Sequence, residues 1–213
     1  MCADAAAAVE THAKAGGWCS LHEGTHDHRA TAEESPLNML GRVDAHGSDA
    51  TPAPQPPNGV ARSRVRLGLV GSSGGHLAQL VALRPLWEAY DRFWVTFPTE
   101  DARSLLVGER TYWCHHPTNR NARNLLRNSV LAARVLQRER PSHLISTGAA
   151  VAVPFFYIGR MVGADLIFIE TFDRIDTPTL TGRMLNPITQ HMFVQWPDQA
   201  PLYRGAEVLG RLL

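Results

Sequence analysis

Lysine is nearly missing from this sequence: Lys14 is its one lysine among 21 basic residues. Cysteine is scarce too. Cys2, Cys19 and Cys114 lie far apart, so the chain has no disulfide framework, and an odd number of scattered thiols points to a reducing compartment. No apolar run reaches the roughly 18–20 residues that a membrane-spanning helix needs. The nearest, Gly148 to Gly159, is closed by Arg160. Residues 1–20 lack the basic start and long apolar stretch of a secretory signal. These absences argue against a disulfide-stapled secreted scaffold and against an integral membrane helix. They leave a cytoplasmic protein that can still lie on a membrane surface.

What is present suits one full core plus a tail: 213 residues, 44% hydrophobic and 19% charged. The formal net charge of +1 hides an asymmetry. Residues 1–60 carry three basic and eight acidic side chains, whereas residues 61–213 carry eighteen basic and twelve acidic ones. All eighteen are arginine. Arginine keeps its charge and grips phosphate or carboxylate with two prongs, so the basic portion suits a phosphate-rich partner or an anionic membrane, or else a solvated basic surface.

Residues 1–60 read as a disordered tail containing proline and histidine. They hold few large apolar residues and end in the polyproline-prone run Thr51-Pro-Ala-Pro-Gln-Pro-Pro-Asn-Gly59. Cys19, His22, His26 and His28 could be drawn as a zinc site, but no apolar scaffold accompanies them, and a solvated histidine cluster is the expectation; no metal site is assigned.

From Arg64 the texture changes. Apolar runs expected to be strands recur at Val65–Val70, Phe93–Phe97, Tyr112–His115, His143–Ser146, Leu166–Ile169 and Met192–Gln195. Helical spacing fills the intervals: His76–Tyr90, then 100–107, 120–139, 150–162 and 180–190. This alternation predicts an α/β fold over residues 61–213, a Rossmann-like parallel sheet with helices on both faces. Ligands of such sheets bind outside the carboxyl ends of the strands. Those ends are Gly71–His76, Thr96–Glu100, His115–Arg120, Ser146–Ala149, Glu170–Thr181 and Gln195–Asp198, and nearly all the unusual polar residues fall there.

Gly71-Ser72-Ser73-Gly74-Gly75-His76 joins the first strand to the first helix. Glycines admit close approach of a ligand to the backbone, and a helix start offers unpaired N–H groups, so the loop suits phosphate or diphosphate. It lacks the third glycine of a dinucleotide fingerprint and the Gly-Lys-Ser/Thr of a P-loop. A dinucleotide-dependent oxidoreductase is therefore a weak fit, and no cofactor is assigned. His76, in the first helical turn, can exchange a proton near neutral pH or simply cap the turn. Ser146-Thr147-Gly148-Ala149 is a second small-residue turn, with hydroxyls to donate to a ligand and room beside them. The helix after it is apolar almost all round, either buried core or a greasy flank beside a lipid-linked substrate. Glu170-Thr-Phe-Asp173-Arg-Ile-Asp176 could bind sugar hydroxyls or supply a base, or form a salt-bridged loop. In the 120–139 helix, Arg120, Arg123, Arg127 and Arg134 share a narrow arc, and Leu125, Leu126, Val130, Ala133 and Leu136 share a neighbouring one. That pattern fits a membrane-surface helix, or a helix docked on the sheet with its arginines in solvent.

Taken together, these motifs resemble the Alg14 family, including its bacterial exopolysaccharide members. The matching segments are Val70-Gly-Ser-Ser-Gly-Gly-His-Leu-Ala-Gln-Leu80, Phe93-Trp-Val-Thr-Phe97, Tyr112-Trp-Cys114, Pro117-Thr-Asn-Arg-Asn121, Ile145 to Pro154, Ile169 to Arg183 and Phe193-Val-Gln-Trp196. The resemblance implies the amino-terminal half of a GT-B glycosyltransferase of the MurG type, one subunit of a heteromeric UDP-sugar transferase. It implies an acceptor carried on polyprenyl diphosphate, and a UDP-sugar donor held mainly by an Alg13-like partner subunit. It implies action at the cytoplasmic face of the membrane as a peripheral protein, and no nucleic acid partner. Residues 1–60 show no counterpart of the membrane anchor of eukaryotic members. By position His76 matches the loop histidine of MurG-like enzymes, and either it or Glu170 would be the base. Gly71 to Gly75, Ser146 to Ala149, Asp173, Thr181 and Arg183 would bind substrate. The alternative from another class is a non-catalytic membrane scaffold that activates the partner.

Overall fold

A computed structural model describes residues 65–118 and 121–212. The proposed tail, its Cys19, His22, His26 and His28, and Arg120 lie outside the described residues.

Strands β1 (Arg66–Val70), β2 (Asp91–Thr96), β3 (Thr111–Trp113), β4 (His143–Ser146), β5 (Asp165–Ile169), β6 (His191–Val194) and β7 (Ala206–Val208) form one sheet in the order β3-β2-β1-β4-β5-β6-β7. Every pairing is parallel. The six expected strands are present, and β7 adds an edge strand not expected from the sequence. Helices α1 (Gly75–Ala82), α2 (Arg84–Trp87), α3 (Glu100–Leu105), α4 (Ala122–Glu139), α5 (Ala152–Met161) and α6 (Leu180–Leu185) connect the strands, and a 3-10 helix spans Pro197–Leu202. The single helix expected over His76–Tyr90 is two, with Pro85 in the first turn of the second, where its missing N–H costs nothing.

Strand side chains alternate between two buried layers, as a period of two requires. Val70, Phe93, Val95, Leu144, Leu166, Phe168, Met192 and Val194 face one layer, where Ala132, Val135 and Leu136 of α4 and Phe155 and Phe156 of α5 meet them. Leu67, Leu69, Trp94, Ile145, Ile167, Ile169 and Phe193 face the other, with Leu77 and Leu80 of α1 and Leu86 and Trp87 of α2. Burying a side chain of this size stabilises the fold by roughly 1.5–3 kcal/mol relative to leaving it in water. The apolar helix α5 thus sits largely in the core, with Tyr157 and Met161 exposed.

Helix α4 docks differently from the simplest amphipathic reading. Its inward face is Asn124, Asn128, Ala132, Val135, Leu136 and Glu139, while Leu125, Leu126 and Val130 are exposed. The two asparagines are inside because the loop after β3 needs them. Asn128 accepts from the His115 amide and donates to the His115 carbonyl, both at 2.9 Å, and Asn124 donates to the Pro117 carbonyl at 2.9 Å. Asn121 caps the helix by accepting from the Asn124 amide at 3.0 Å. No helix among the described residues is long and apolar enough to cross a membrane.

Candidate functional site

The carboxyl ends of β1 to β5 surround a polar cavity of about 560 Å³. Of the residues expected from the sequence to form a site, Ser72, Ser73, His76, Gly148, Ala149, Glu170, Asp173 and Thr181 line it. Loops from five strand ends contribute to it, so the topology brings together residues far apart in the chain.

The first glycine loop is tied at several points. The Gly71 amide donates to the Val95 carbonyl at 3.0 Å, which fixes the loop to the end of β2. Gly74, at a φ of 73°, precedes α1, and its amide donates to Asp101 Oδ2 at 3.1 Å. A carboxylate of the chain thus occupies one of the amides that would suit a ligand anion. No side chain caps α1.

His76 and the turn after β4 clamp one another. His76 Nδ1 lies 2.8 Å from the Thr147 carbonyl, and Thr147 Oγ1 donates to the His76 carbonyl at 2.8 Å. A carbonyl only accepts, so Nδ1 carries the proton of the neutral ring, and Nε2 is left with a lone pair. The Ser146 and Thr147 hydroxyls, expected to face a ligand, instead point into the protein. Both residues are fully buried. Ser146 Oγ accepts from the Gly148 amide at 3.0 Å, and the Thr147 hydroxyl serves the His76 carbonyl. Their work is to shape the turn, in which Gly148 and Ala149 both take positive φ values, 118° and 70°. The left-handed conformation of Ala149 stores strain of a kind concentrated at ligand sites.

Glu170 is at the cavity wall but 1% exposed. Oε1 accepts from the Thr171 amide at 2.9 Å; Oε2 accepts from the Thr179 hydroxyl at 3.0 Å and from the Tyr203 hydroxyl. Tyr203 in turn accepts from the Thr179 amide at 3.0 Å. Burial and then the Glu170 carboxylate push the Tyr203 phenol well above its ordinary range, so it is a hydrogen-bond donor throughout the physiological range. Thr179 also caps α6, accepting from the Gly182 amide at 2.9 Å. A Cβ on Gly182 would overlap both Glu170 Oε2 and the Tyr203 hydroxyl. The carboxylate therefore organises the segment from 170 to 182.

Beneath it lies a buried amide network that the sequence reading did not find. Gln195 Nε2 donates to Gln79 Oε1 at 2.7 Å and to the Glu170 carbonyl at 2.9 Å. Gln199 Nε2 donates to the carbonyls of Thr171 at 2.9 Å and Arg174 at 2.6 Å. This support presents Asp173 and Arg174 to the cavity, and Arg174 brings a cation to its lining. Phe97 and His116 form another wall, their rings 5.6 Å apart. Gly71, Gly74, Gly75 and Arg183 are not part of the lining, and Arg183 is exposed on α6. Arg123, Arg127 and Arg134 are exposed on α4, away from the cavity lining. Among the described residues no group of three His, Cys, Asp or Glu is placed to hold a metal ion.

The model of the family described as "Oligosaccharide biosynthesis protein Alg14 like" matches residues 114–212. A fission yeast protein (Schizosaccharomyces pombe), "UDP-N-acetylglucosamine transferase subunit alg14", is 34% identical over 56 residues, 25% of this chain and 27% of that one. The rat (Rattus norvegicus) protein of the corresponding name is 24% identical over 183 residues, 71% of this chain and 85% of that one. Among solved structures, MurG from Acinetobacter baumannii has a TM-score of 0.54 at 16% identity, covering 63% of this chain and 42% of that one. The chain thus spans about a quarter of the fission yeast relative and less than half of MurG. At that identity the likeness concerns the fold, a Rossmann-like sheet of the kind found in GT-B glycosyltransferases.

Proposed function

We infer that the chain, which matches the Alg14-like family over residues 114–212, is one subunit of a UDP-N-acetylglucosamine or related UDP-sugar transferase. Its part is to hold a polyprenyl-diphosphate-linked acceptor and to recruit an Alg13-like partner that holds the donor. The pair would act in polysaccharide or lipid-linked oligosaccharide synthesis at the cytoplasmic face of the membrane, and this chain would be inactive alone.

One observation carries the reading: the hydrogen bond from His76 Nδ1 to the Thr147 carbonyl, at the wall of a cavity open to ligand. It leaves His76 Nε2 as the basic nitrogen. In the reaction, the acceptor hydroxyl attacks the anomeric carbon of the donor, Nε2 takes the hydroxyl proton, and UDP departs with the electrons of the broken bond. Such attack inverts the anomeric centre. Of the two candidate bases, His76 is favoured. The Glu170 carboxylate is 1% exposed and both its oxygens are engaged by three hydrogen bonds from within the protein, so it is not presented to an acceptor hydroxyl. Glu170 is then a positioning residue. The loop residues Ser72 and Ser73, the backbone of Gly148 and the Arg174 guanidinium would meet the diphosphate, with Asp173 and Thr181 toward the sugar, while Gly71, Gly74 and Gly75 shape the loop behind them. Ser146 and Thr147 support that surface from behind. The exposed Arg123, Arg127 and Arg134, beside exposed Leu125, Leu126 and Val130 on α4, suit an anionic leaflet.

The test is transfer by the reconstituted pair. His76→Ala should lower the rate by roughly a hundredfold to ten-thousandfold while the pair still assembles. Wild-type transfer by that variant, or by the partner alone on a soluble acceptor, would leave this chain a scaffold and refute the reading.

A further inference from the structure

A second cavity opens beside the first. It has a volume of about 600 Å³ and runs between α4, α5 and α6, lined chiefly by Ala122, Leu125, Val153, Pro154, Leu180 and Met184. Two of its three polar members are engaged elsewhere, and the third, Thr118, is shared with the polar cavity. Asn128 spends its amide on the His115 backbone, and Asn121 spends its carbonyl oxygen on the Asn124 amide. The surface offered to an occupant is therefore mostly apolar. Leu180, Leu125 and Met184 are 72%, 48% and 42% exposed. Three large apolar side chains along one groove are a costly thing to leave in water, and such patches mark binding surfaces.

The groove is continuous with the polar cavity. Thr118, Ala150 and Leu180 line both. An occupant of both spaces has a polar head and an apolar tail joined at the position of Leu180, and under the proposed function that head is the diphosphate. We propose that the groove is a lane for the first isoprene units of the acceptor, those next to the diphosphate, so that the protein recognises the lipid as well as its head group. The inference rests on the diphosphate reading of the polar cavity, and adds the tail to it. In this arrangement Leu180 marks the junction, Val153 and Pro154 form the floor on α5, and Leu125 and Met184 close the sides. The lane sets a preference among acceptors that share a head group but differ in the chain attached to it. A lane of this volume takes the proximal units only, and the remainder of the polyprenyl chain stays in the bilayer.

The experiment is titration calorimetry on the full chain without detergent or membrane, with inorganic pyrophosphate and geranyl diphosphate as probes. The wild type should bind geranyl diphosphate at least tenfold more tightly than pyrophosphate. Ala122→Phe, which fills the groove from an exposed position, should bring that ratio close to one while leaving pyrophosphate affinity within twofold. The double variant Leu125→Gln with Met184→Gln should do the same by wetting the groove. Added aromatic surface strengthens adhesion to a leaflet, so a loss with Ala122→Phe separates a tail lane from a mere membrane patch. If both variants keep the wild-type ratio, or if the wild type binds both probes equally, the lane is overturned and the diphosphate site stands. If neither probe binds the wild type, the diphosphate reading falls and takes the lane with it.

Discussion

Gly148 leaves space that His76 uses: a Cβ at residue 148 would stand 3.0 Å from Cε1 and 3.3 Å from Nδ1 of the imidazole. The residue also has a φ of 118°, which side-chain-bearing residues rarely adopt. Two independent requirements thus select glycine at the point where the β4 turn meets the ring. Gly148→Ala should cost about 1–3 kcal/mol of stability and should lower transfer by the reconstituted pair at least tenfold, because the ring must shift by a few tenths of an ångström against its Thr147 tie. Denaturant unfolding together with single-turnover kinetics checks it. Full activity would mean that the ring position does not matter.

Asp101 holds a glycine-loop amide beside the site proposed for the diphosphate. Its carboxylate holds the Gly74 amide at 3.1 Å from an exposed position on α3. Asp101→Asn keeps the shape and removes the charge, so pyrophosphate should bind roughly three- to tenfold more tightly, with the gain shrinking as salt rises. Calorimetry at two ionic strengths measures both. Weaker binding in the variant would assign Asp101 to shaping the loop rather than to guarding it.

Tyr203→Phe removes one of three donors from a buried carboxylate. Leaving Glu170 short of a partner should destabilise the domain by about 1–3 kcal/mol, and the 170–182 segment should become more open to hydrogen exchange. Glu170→Gln should cost a similar amount, yet leave the pH profile of transfer unchanged if His76 is the base. A pH profile that shifts with Glu170→Gln alone would return the proton transfer to the carboxylate.

Stability should fall on mild acidification through a group far from the cavity. His143 opens β4 at the amino-terminal edge of the sheet, and burial holds its pKa below the ordinary 6.5, with Asp165 opposing and His191 adding to the depression. The unfolded chain then takes up its proton first as the pH drops. The stabilising contribution of neutral His143 is complete above about pH 6.5 and is lost as the pH falls through its lowered value. Thermal melts from pH 7.5 to 5 should show a steeper loss in the wild type than in His143→Gln. Parallel slopes would exclude His143 as the source.

Strong local patterns made most of the fold legible in the sequence. Phe93-Trp-Val-Thr and Leu166-Ile-Phe-Ile are apolar on both faces of the sheet, and the glycine and small-residue turns sit where chain direction must change. The third edge residue Val208 and its neighbour Glu207 are exposed, so β7 has no buried alternation to betray it. Helix α4 misled for a related reason: its inward asparagines answer a loop's backbone groups rather than an apolar layer, and no periodicity reports that. The same holds for the site. His76 and Glu170 stood at strand ends, where their chemistry could be anticipated. Gln79, Gln195, Gln199 and Tyr203 act through partners up to 116 residues away, and Asp101 acts back across 27. Such long-range bonding leaves no mark in spacing.

The tie between His76 and Thr147 bridges 71 positions of chain. Until β1 and β4 lie side by side there is no pocket at all, even in partly collapsed molecules with every helix formed. Occupancy is therefore a readout of the intact domain. By mass action, a ligand held there at a hundred times its dissociation constant would add about 2.7 kcal/mol to the whole unit, so emptying the site would leave a more fragile protein.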